Sequence, residues 1–168
     1  MKARKIFTIL AAVLLIVAAA EAARLPSAFP NFSTKDLDGK TVTNSIFGQS
    51  EITMINFWAT WCGPCVAEMP DLAKMYNELG EGMVGVLMDA DDRGAIDKAN
   101  QILKKAGANF PQLRPSKEMY SLFNAIDAIP TTIFVDSNGK IVGQTVVGSR
   151  SSREYLQAMM TAWKDAYE

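Results

Sequence analysis

The 168-residue chain predicts an α/β fold: a central mixed β-sheet flanked by helices, with a small β-hairpin added ahead of it. Three observations carry this. Short apolar runs alternate with stretches whose apolar residues recur at spacings of three and four, as strands alternating with helices do. The last two strand-like runs, Ile133–Val135 and Ile141–Val147, are joined through Asn138-Gly139, so the sheet is expected to close with a hairpin. Asp38-Gly39 marks another hairpin between Phe32 and Thr43, before the first core strand.

In chain order, Met1-Lys2-Ala3-Arg4-Lys5 is a short basic start, Ile6 to Ala20 is an apolar run of 15 residues, and Ala20-Glu21-Ala22 is an A-x-A cleavage pattern. That is the layout of a secretory signal peptide over residues 1–22. The run is shorter than the ~18 apolar residues of a spanning helix, and an uncleaved N-terminal membrane anchor is the alternative. Removal leaves 146 of the 168 residues, enough for one domain with its own core. Lys2, Arg4, Lys5 and Glu21 leave with the segment, which moves the net charge from −1 to −3. No basic face remains to suggest nucleic acid. Export places the protein in a periplasmic or other extracytoplasmic space, where disulfides persist.

Residues 23–31 read as an irregular lead-in and residues 32–168 as the domain. Asn44 to Glu51 is expected to be a connection. Ile52 to Phe57 is the first core strand. A helix then runs from Cys62 to Leu79, with Cys65, Met69, Leu72, Tyr76 and Leu79 on one face. Pro70 is expected to kink it, and Gly80 with Gly82 to end it. Met83 to Met88 is continuously apolar, as in a strand covered on both faces. Asp89, Asp91 and Asp92 follow, and Asp92 is expected to cap a helix over about 94–106 rather than to ligate a metal. Phe110 to Leu113 reads as a short strand and Lys117 to Asn124 as a short helix. Ser151-Ser152-Arg153-Glu154 is a capping box opening a last helix, whose Tyr155, Met159 and Trp163 point to the core.

The chemistry lies in Trp61-Cys62-Gly63-Pro64-Cys65, which holds the chain's two cysteines. They sit where a buried strand hands over to a helix. Free N–H groups and the positive dipole end of a helix stabilise a thiolate and lower its pKa. Cys62, at the helix start, is the expected nucleophile. Cys65, one turn inside, is the expected resolving thiol, and Pro64 falls in the first turn, where a missing N–H costs nothing. Zinc needs four ligands, and the chain has no further cysteine and no histidine. A purely structural bridge across so short a loop stabilises little. A redox pair beside a βαβ pattern is the strong reading.

Asn56-Phe57-Trp58-Ala59-Thr60-Trp61-Cys62-Gly63-Pro64-Cys65-Val66-Ala67-Glu68-Met69-Pro70 resembles the active-site segment of thioredoxin-like proteins, and more closely the exported TlpA/ResA-type members of that superfamily. Ala128-Ile129-Pro130-Thr131-Thr132-Ile133-Phe134-Val135-Asp136-Ser137-Asn138-Gly139-Lys140 resembles the segment holding the cis-proline that faces the cysteines in that fold. The resemblance runs from about Phe29 to the C-terminus and implies a thioredoxin-like fold in a bacterial exported protein.

The resemblance also implies roles. Pro130, which sequence alone would leave trans, is cis by the match. Backbone groups of Ile129 are then free to pair with an extended substrate chain. Trp61 is either a core aromatic or, by the match and its loop position, part of the surface around the cysteines together with Gly63 and Pro64. Gly148 either lines the same groove or is punctuation after the last strand. Asn56 stands where thioredoxin has a buried aspartate, and an amide cannot move a proton. Glu68, a helical neighbour of Cys65, is either a solvated helix glutamate or, by resemblance, the acid/base group.

The function expected is a thiol–disulfide oxidoreductase that reduces protein disulfides through a Cys62/Cys65 cycle. It needs no cofactor or metal of its own. Its electrons would come from a membrane donor protein, and its clients by resemblance are apocytochrome c or a copper-site protein. The alternatives are a thiol peroxidase of the same fold and a copper-delivery module. The first wants a threonine where Ala59 stands, and the second wants a histidine and wider cysteine spacing.

Overall fold

A computed structural model describes residues 25–168; the proposed signal segment, residues 1–22, lies outside them. Two strands, β1 (Ser33–Lys35) and β2 (Thr41–Thr43), form the N-terminal hairpin, with Ser33 opposite Thr43 and Lys35 opposite Thr41. Its turn depends on Gly39, whose φ of 86° lies in the left-handed region open to glycine, and on Asp36, whose carboxylate accepts the Lys40 N–H at 2.8 Å. The central sheet then takes β3 (Ile52–Trp58), β4 (Met83–Leu87), β5 (Gln112–Leu113), β6 (Thr131–Asp136) and β7 (Ile141–Val147) in the order β5-β4-β3-β6-β7. The β3–β4 and β4–β5 pairs are parallel, whereas β3–β6 and β6–β7 are antiparallel. The sheet is therefore mixed, flanked by α1 (Gly63–Leu79), α2 (Ala95–Ala106), the short α3 (Tyr120–Phe123) and α4 (Ser152–Tyr167). This is the thioredoxin-like arrangement with an added hairpin.

All seven residues of β3 are buried, because both sheet faces are covered. Met54 and Trp58 join a core with Met69, Leu72 and Tyr155 beneath α1 and α4. Ile55 and Phe57 face the opposite way, into a core shared with Phe29, Phe32, Phe47 and Leu122. Asn56 has the same strand parity as Met54 and Trp58, so it enters the α1 side.

Several boundaries differ from expectation. The connection after β2 is a 3₁₀ helix over Asn44–Gln49; its N-cap is Thr43, and its Phe47 packs edge-on against Phe29 and Phe32. Asp92 does not cap α2. Gly94, with a φ of 77°, holds that place with no side-chain cap, because the chain turns through a left-handed residue there. The strand expected over 110–113 keeps Gln112 and Leu113 alone, and the helix expected over 117–124 divides into a 3₁₀ turn (Lys117–Met119) and α3. Helix α1 does end at Gly80 as expected, the Gly80 N–H reaching the Tyr76 carbonyl, and Pro70 lies within the helical span. The lead-in is irregular yet attached: Phe29 N–H donates to the Gly139 carbonyl at 2.8 Å, and Ile141 N–H to that of Ser27 at 2.9 Å.

Candidate active site

The C-terminal end of β3 delivers the chain into a tight turn. Thr60 is held there by Asp89, beyond the end of β4. The Thr60 hydroxyl donates to Asp89 Oδ2 at 2.7 Å, and its N–H to the same carboxylate at 3.1–3.2 Å. Cys62 N–H donates to the Ala59 carbonyl at 3.1 Å. Cys62 then takes an extended conformation as the N-cap of α1, and its Sγ accepts the Cys65 N–H at 3.2 Å. Pro64 occupies the first turn, where no intrahelical N–H is missed.

Cys62 and Cys65 form a disulfide, with an S–S distance of 2.01 Å and Cα atoms 5.3 Å apart. Cys65 is fully buried and Cys62 is 5% exposed, so Cys62 is the more accessible residue of the pair. Trp61, 67% exposed, stands beside it with the exposed Gly63 and Pro64. Across from them the Ile129–Pro130 peptide bond is cis, and the Ile129 carbonyl oxygen lies 3.6 Å from Cys62 Sγ. Gly148 is drawn to the same place: its N–H donates to the Pro130 carbonyl at 2.8 Å, and its φ of 85° suits glycine.

Glu68 is buried, not solvated. Its Oε1 accepts from Asn56 Nδ2 at 3.0 Å, and its Oε2 accepts from the Tyr155 hydroxyl at 2.8 Å and the Arg150 N–H at 3.3 Å. The other Asn56 amide hydrogen goes to Thr132 Oγ1 at 3.0 Å. Burial pushes the Glu68 carboxyl above its ordinary range, and the donors from Tyr155, Asn56, Ser149 and Arg150 oppose the rise without cancelling it. Burial also pushes the Tyr155 phenol well up, reinforced by the neighbouring Glu68 charge.

The structure thus brings Trp61, Cys62, Gly63, Pro64, Cys65, Ile129, Pro130 and Gly148 to one end of the sheet, with Glu68 one turn along α1 inside the core. Sequence reasoning missed Tyr155 as a polar neighbour of Glu68, since helical spacing marks it only as core. It also missed Asp89 as the anchor of Thr60. The one signal for Asp89 was its place next to a β-strand end.

The family model described as Redoxin matches residues 25–159. This chain belongs to the redoxin family. Among curated redoxin-like relatives, the thiol–disulfide oxidoreductase ResA of Bacillus thuringiensis subsp. konkukian is 31% identical over 133 residues, covering 76% of this chain and 74% of the relative. ResA of Bacillus subtilis is 29% identical over 113 residues, covering 67% and 62%. Among solved structures, a thiol:disulfide interchange protein of the thioredoxin family from Chlorobium tepidum superposes with a TM-score of 0.67 at 26% identity, covering 83% of this chain and 98% of that one. StoA from Bacillus subtilis shares the fold, with a TM-score of 0.62 at 22% identity over 83% and 99% of the two chains. With its CxxC disulfide, this redoxin is a thiol–disulfide oxidoreductase of the ResA type.

Proposed function

We propose that the protein is an extracytoplasmic reductase of protein disulfides in which Cys62 attacks, Cys65 resolves and Glu68 handles the proton of Cys65. The observation that carries this is the placement of Cys62 Sγ as the N-cap of α1, accepting the Cys65 N–H, with a buried carboxyl on the same helix one turn beyond Cys65. In the reduced protein the helix N-terminus stabilises the Cys62 thiolate. That thiolate attacks a client disulfide, forming a Cys62–client disulfide and releasing one client thiolate. Cys65 then loses its proton to Glu68, its sulfur attacks Cys62 Sγ, and the second client thiolate leaves. Two electrons pass to the client, the Cys62–Cys65 disulfide forms, and the client takes up two protons, one of them returned by Glu68.

A client chain would lie in extended form along Ile129. Among the described residues the Ile129 N–H has no backbone partner, and its carbonyl faces Cys62. Trp61, Gly63, Pro64 and Gly148 would form the rim it meets, with Pro130 as the wall.

The reducing direction rests on the absence of histidine, which removes the added positive charge that stabilises thiolates in strongly oxidising relatives. The basic start, the apolar run and Ala20-Glu21-Ala22 support export with cleavage after Ala22. A reducing couple outside the cytoplasm needs recharging, which implies a membrane electron donor protein. By resemblance, the clients are the haem-binding cysteines of apocytochrome c or a copper-site pair. Equilibration with glutathione buffers tests the direction. A potential well below that of glutathione supports the reductase, whereas one near about −120 mV, that of a strong periplasmic oxidant, makes it a disulfide donor.

A further inference from the structure

We propose that Tyr155 is a positioning residue for the redox reaction, its hydroxyl holding the Glu68 carboxyl in one orientation while that carboxyl takes and returns the proton of Cys65. The inference rests on Glu68 being the proton acceptor, as read above. Tyr155 is fully buried in α4, 87 residues from Glu68 in the chain, and its O–H donates to Oε2 at 2.8 Å. An aromatic kept only for packing needs no hydroxyl, and burying one costs free energy unless it is paired. Here the partner is a carboxylate, which makes the hydrogen bond one of the stronger kind.

The two carboxyl oxygens are held from different elements. Asn56 of β3 fixes Oε1, while Tyr155 of α4 and the Arg150 N–H before α4 fix Oε2. Ser149 also faces this carboxyl, and Thr132 of β6 faces the Tyr155 hydroxyl. The Arg150 guanidinium turns away, to the carbonyls of Ser149 and Val147. On α1 itself the titratable neighbours one turn either side are Cys65 and Asp71, and Asp71 accepts the Ser152 N–H at 3.3 Å. Helix α4 is held in register by that bond and by the Ser151–Glu154 capping box. Its phenol therefore arrives at a fixed place.

During resolution the Cys65 S–H bond breaks, the proton moves to Glu68, the sulfur electron pair forms the bond to Cys62, and the client thiolate departs. Glu68 must be ionised to accept the proton. The Tyr155 hydroxyl stabilises that ionised form and keeps an oxygen from turning out of line. Without it Glu68 holds its own proton to higher pH and cannot accept another.

The test is the rate at which reduced protein, mixed with oxidised glutathione, resolves its glutathione mixed disulfide, measured against pH. Tyr155→Phe, which keeps the ring, is expected to move the Glu68 inflection to higher pH and to slow resolution about tenfold below it, the effect of losing one hydrogen bond to a charged group. Above it, the rate is expected to rejoin that of the wild type. Glu68→Gln is expected to remove the inflection, and the double variant to match Glu68→Gln. Carbon-13 NMR of the Glu68 carboxyl in oxidised Tyr155→Phe protein gives a second reading, with titration at higher pH. If Glu68→Gln removes the inflection while Tyr155→Phe leaves it in place, or slows resolution equally at every pH, the role of Tyr155 is overturned and that of Glu68 stands. If Glu68→Gln retains the wild-type inflection, the reading of Glu68 falls and Tyr155 falls with it.

Discussion

Around Cys62 the surroundings are exposed and mostly contiguous in sequence, whereas around Glu68 they are buried and drawn from β3, β6, the β7–α4 connection and α4. Trp61, Gly63 and Pro64 flank Cys62 directly, and the Ile129–Pro130 segment and Gly148 come from one strand entry and the end of the next. Asn56, itself bonded to Thr132, and Arg150 and Tyr155 meet Glu68 only because β3 and β6 pair and α4 folds back across the sheet. In the proposed cycle the rim is the surface that a client meets, and disulfide exchange takes place there. The interior is a polar pocket buried away from the surface. There the burial of one carboxyl is set against donors from Tyr155, Asn56, Ser149 and Arg150. Changes on the two sides are therefore expected to show up in different measurements.

The largest expected effect divides the two cysteines. Cys62→Ser is expected to lower disulfide reduction by on the order of a thousandfold or more, as loss of a nucleophile does. Cys65→Ser is expected to accumulate a Cys62–client disulfide visible by mass spectrometry. Faster alkylation of Cys65 than of Cys62 at neutral pH would reverse the assignment and place the nucleophile on the buried side.

Next comes Glu68→Gln, expected to slow exchange by about a hundredfold, the lower range for a lost general acid–base group. Its stability signature has a definite sign. The folded carboxyl titrates above its ordinary value of 4.5, so the folded state holds the proton more tightly than the unfolded chain does. Stability from this group is complete below pH 4.5 and is lost as the pH rises through the raised folded value. Urea denaturation of the oxidised protein across this range is expected to show that loss in the wild type and not in Glu68→Gln. A wild-type curve as flat as the variant's would mean that the pocket does not tune the carboxyl.

Asp89→Ala tests the turn between the two sides. It is expected to destabilise the oxidised protein by about 2 kcal/mol, since it leaves buried donors of Thr60 unpaired. It is also expected to blur the placement of Cys62, read as a changed alkylation rate. The smallest effect belongs to Trp61→Ala. With 67% of the residue exposed, stability is expected to stay within about 0.5 kcal/mol, while KM for a protein disulfide rises and the rate with oxidised glutathione holds. Equal loss with both substrates would give Trp61 a part in the chemistry and not in client contact.

The same contrast explains what could be read from the chain. Cysteine spacing, the preceding apolar strand and the following helical period are local signals, so the redox pair, its place at a helix start and a mixed sheet closing in a hairpin were legible. Pro130 needed the resemblance, because nothing local distinguishes a cis proline from a trans one. Glu68 stayed divided between solvent and chemistry, since its spacing from Cys65 holds in either case and only the packing of α4 buries it. Tyr155 shows the limit plainly: an aromatic on the apolar stripe of a helix reads as core, which it is, and its hydroxyl partner lies beyond any local pattern. Asp92 misled because acidic residues favour helix caps, yet the left-handed turn at Gly94 came between it and the helix.

The placement of Tyr155 and Arg150 near the end of the chain gives chain order a kinetic meaning. Synthesis delivers Cys62, Cys65 and Glu68 well before Arg150 and Tyr155, the latter 87 positions beyond Glu68. Until those residues arrive, the carboxyl has neither its phenol nor its backbone donor from Arg150, and the cysteines exist as a plain dithiol. Docking of α4 is then the step that gives the Glu68 carboxyl these donors, so a chain clipped ahead of α4 would keep the cysteines and lose the proposed tuning of that carboxyl.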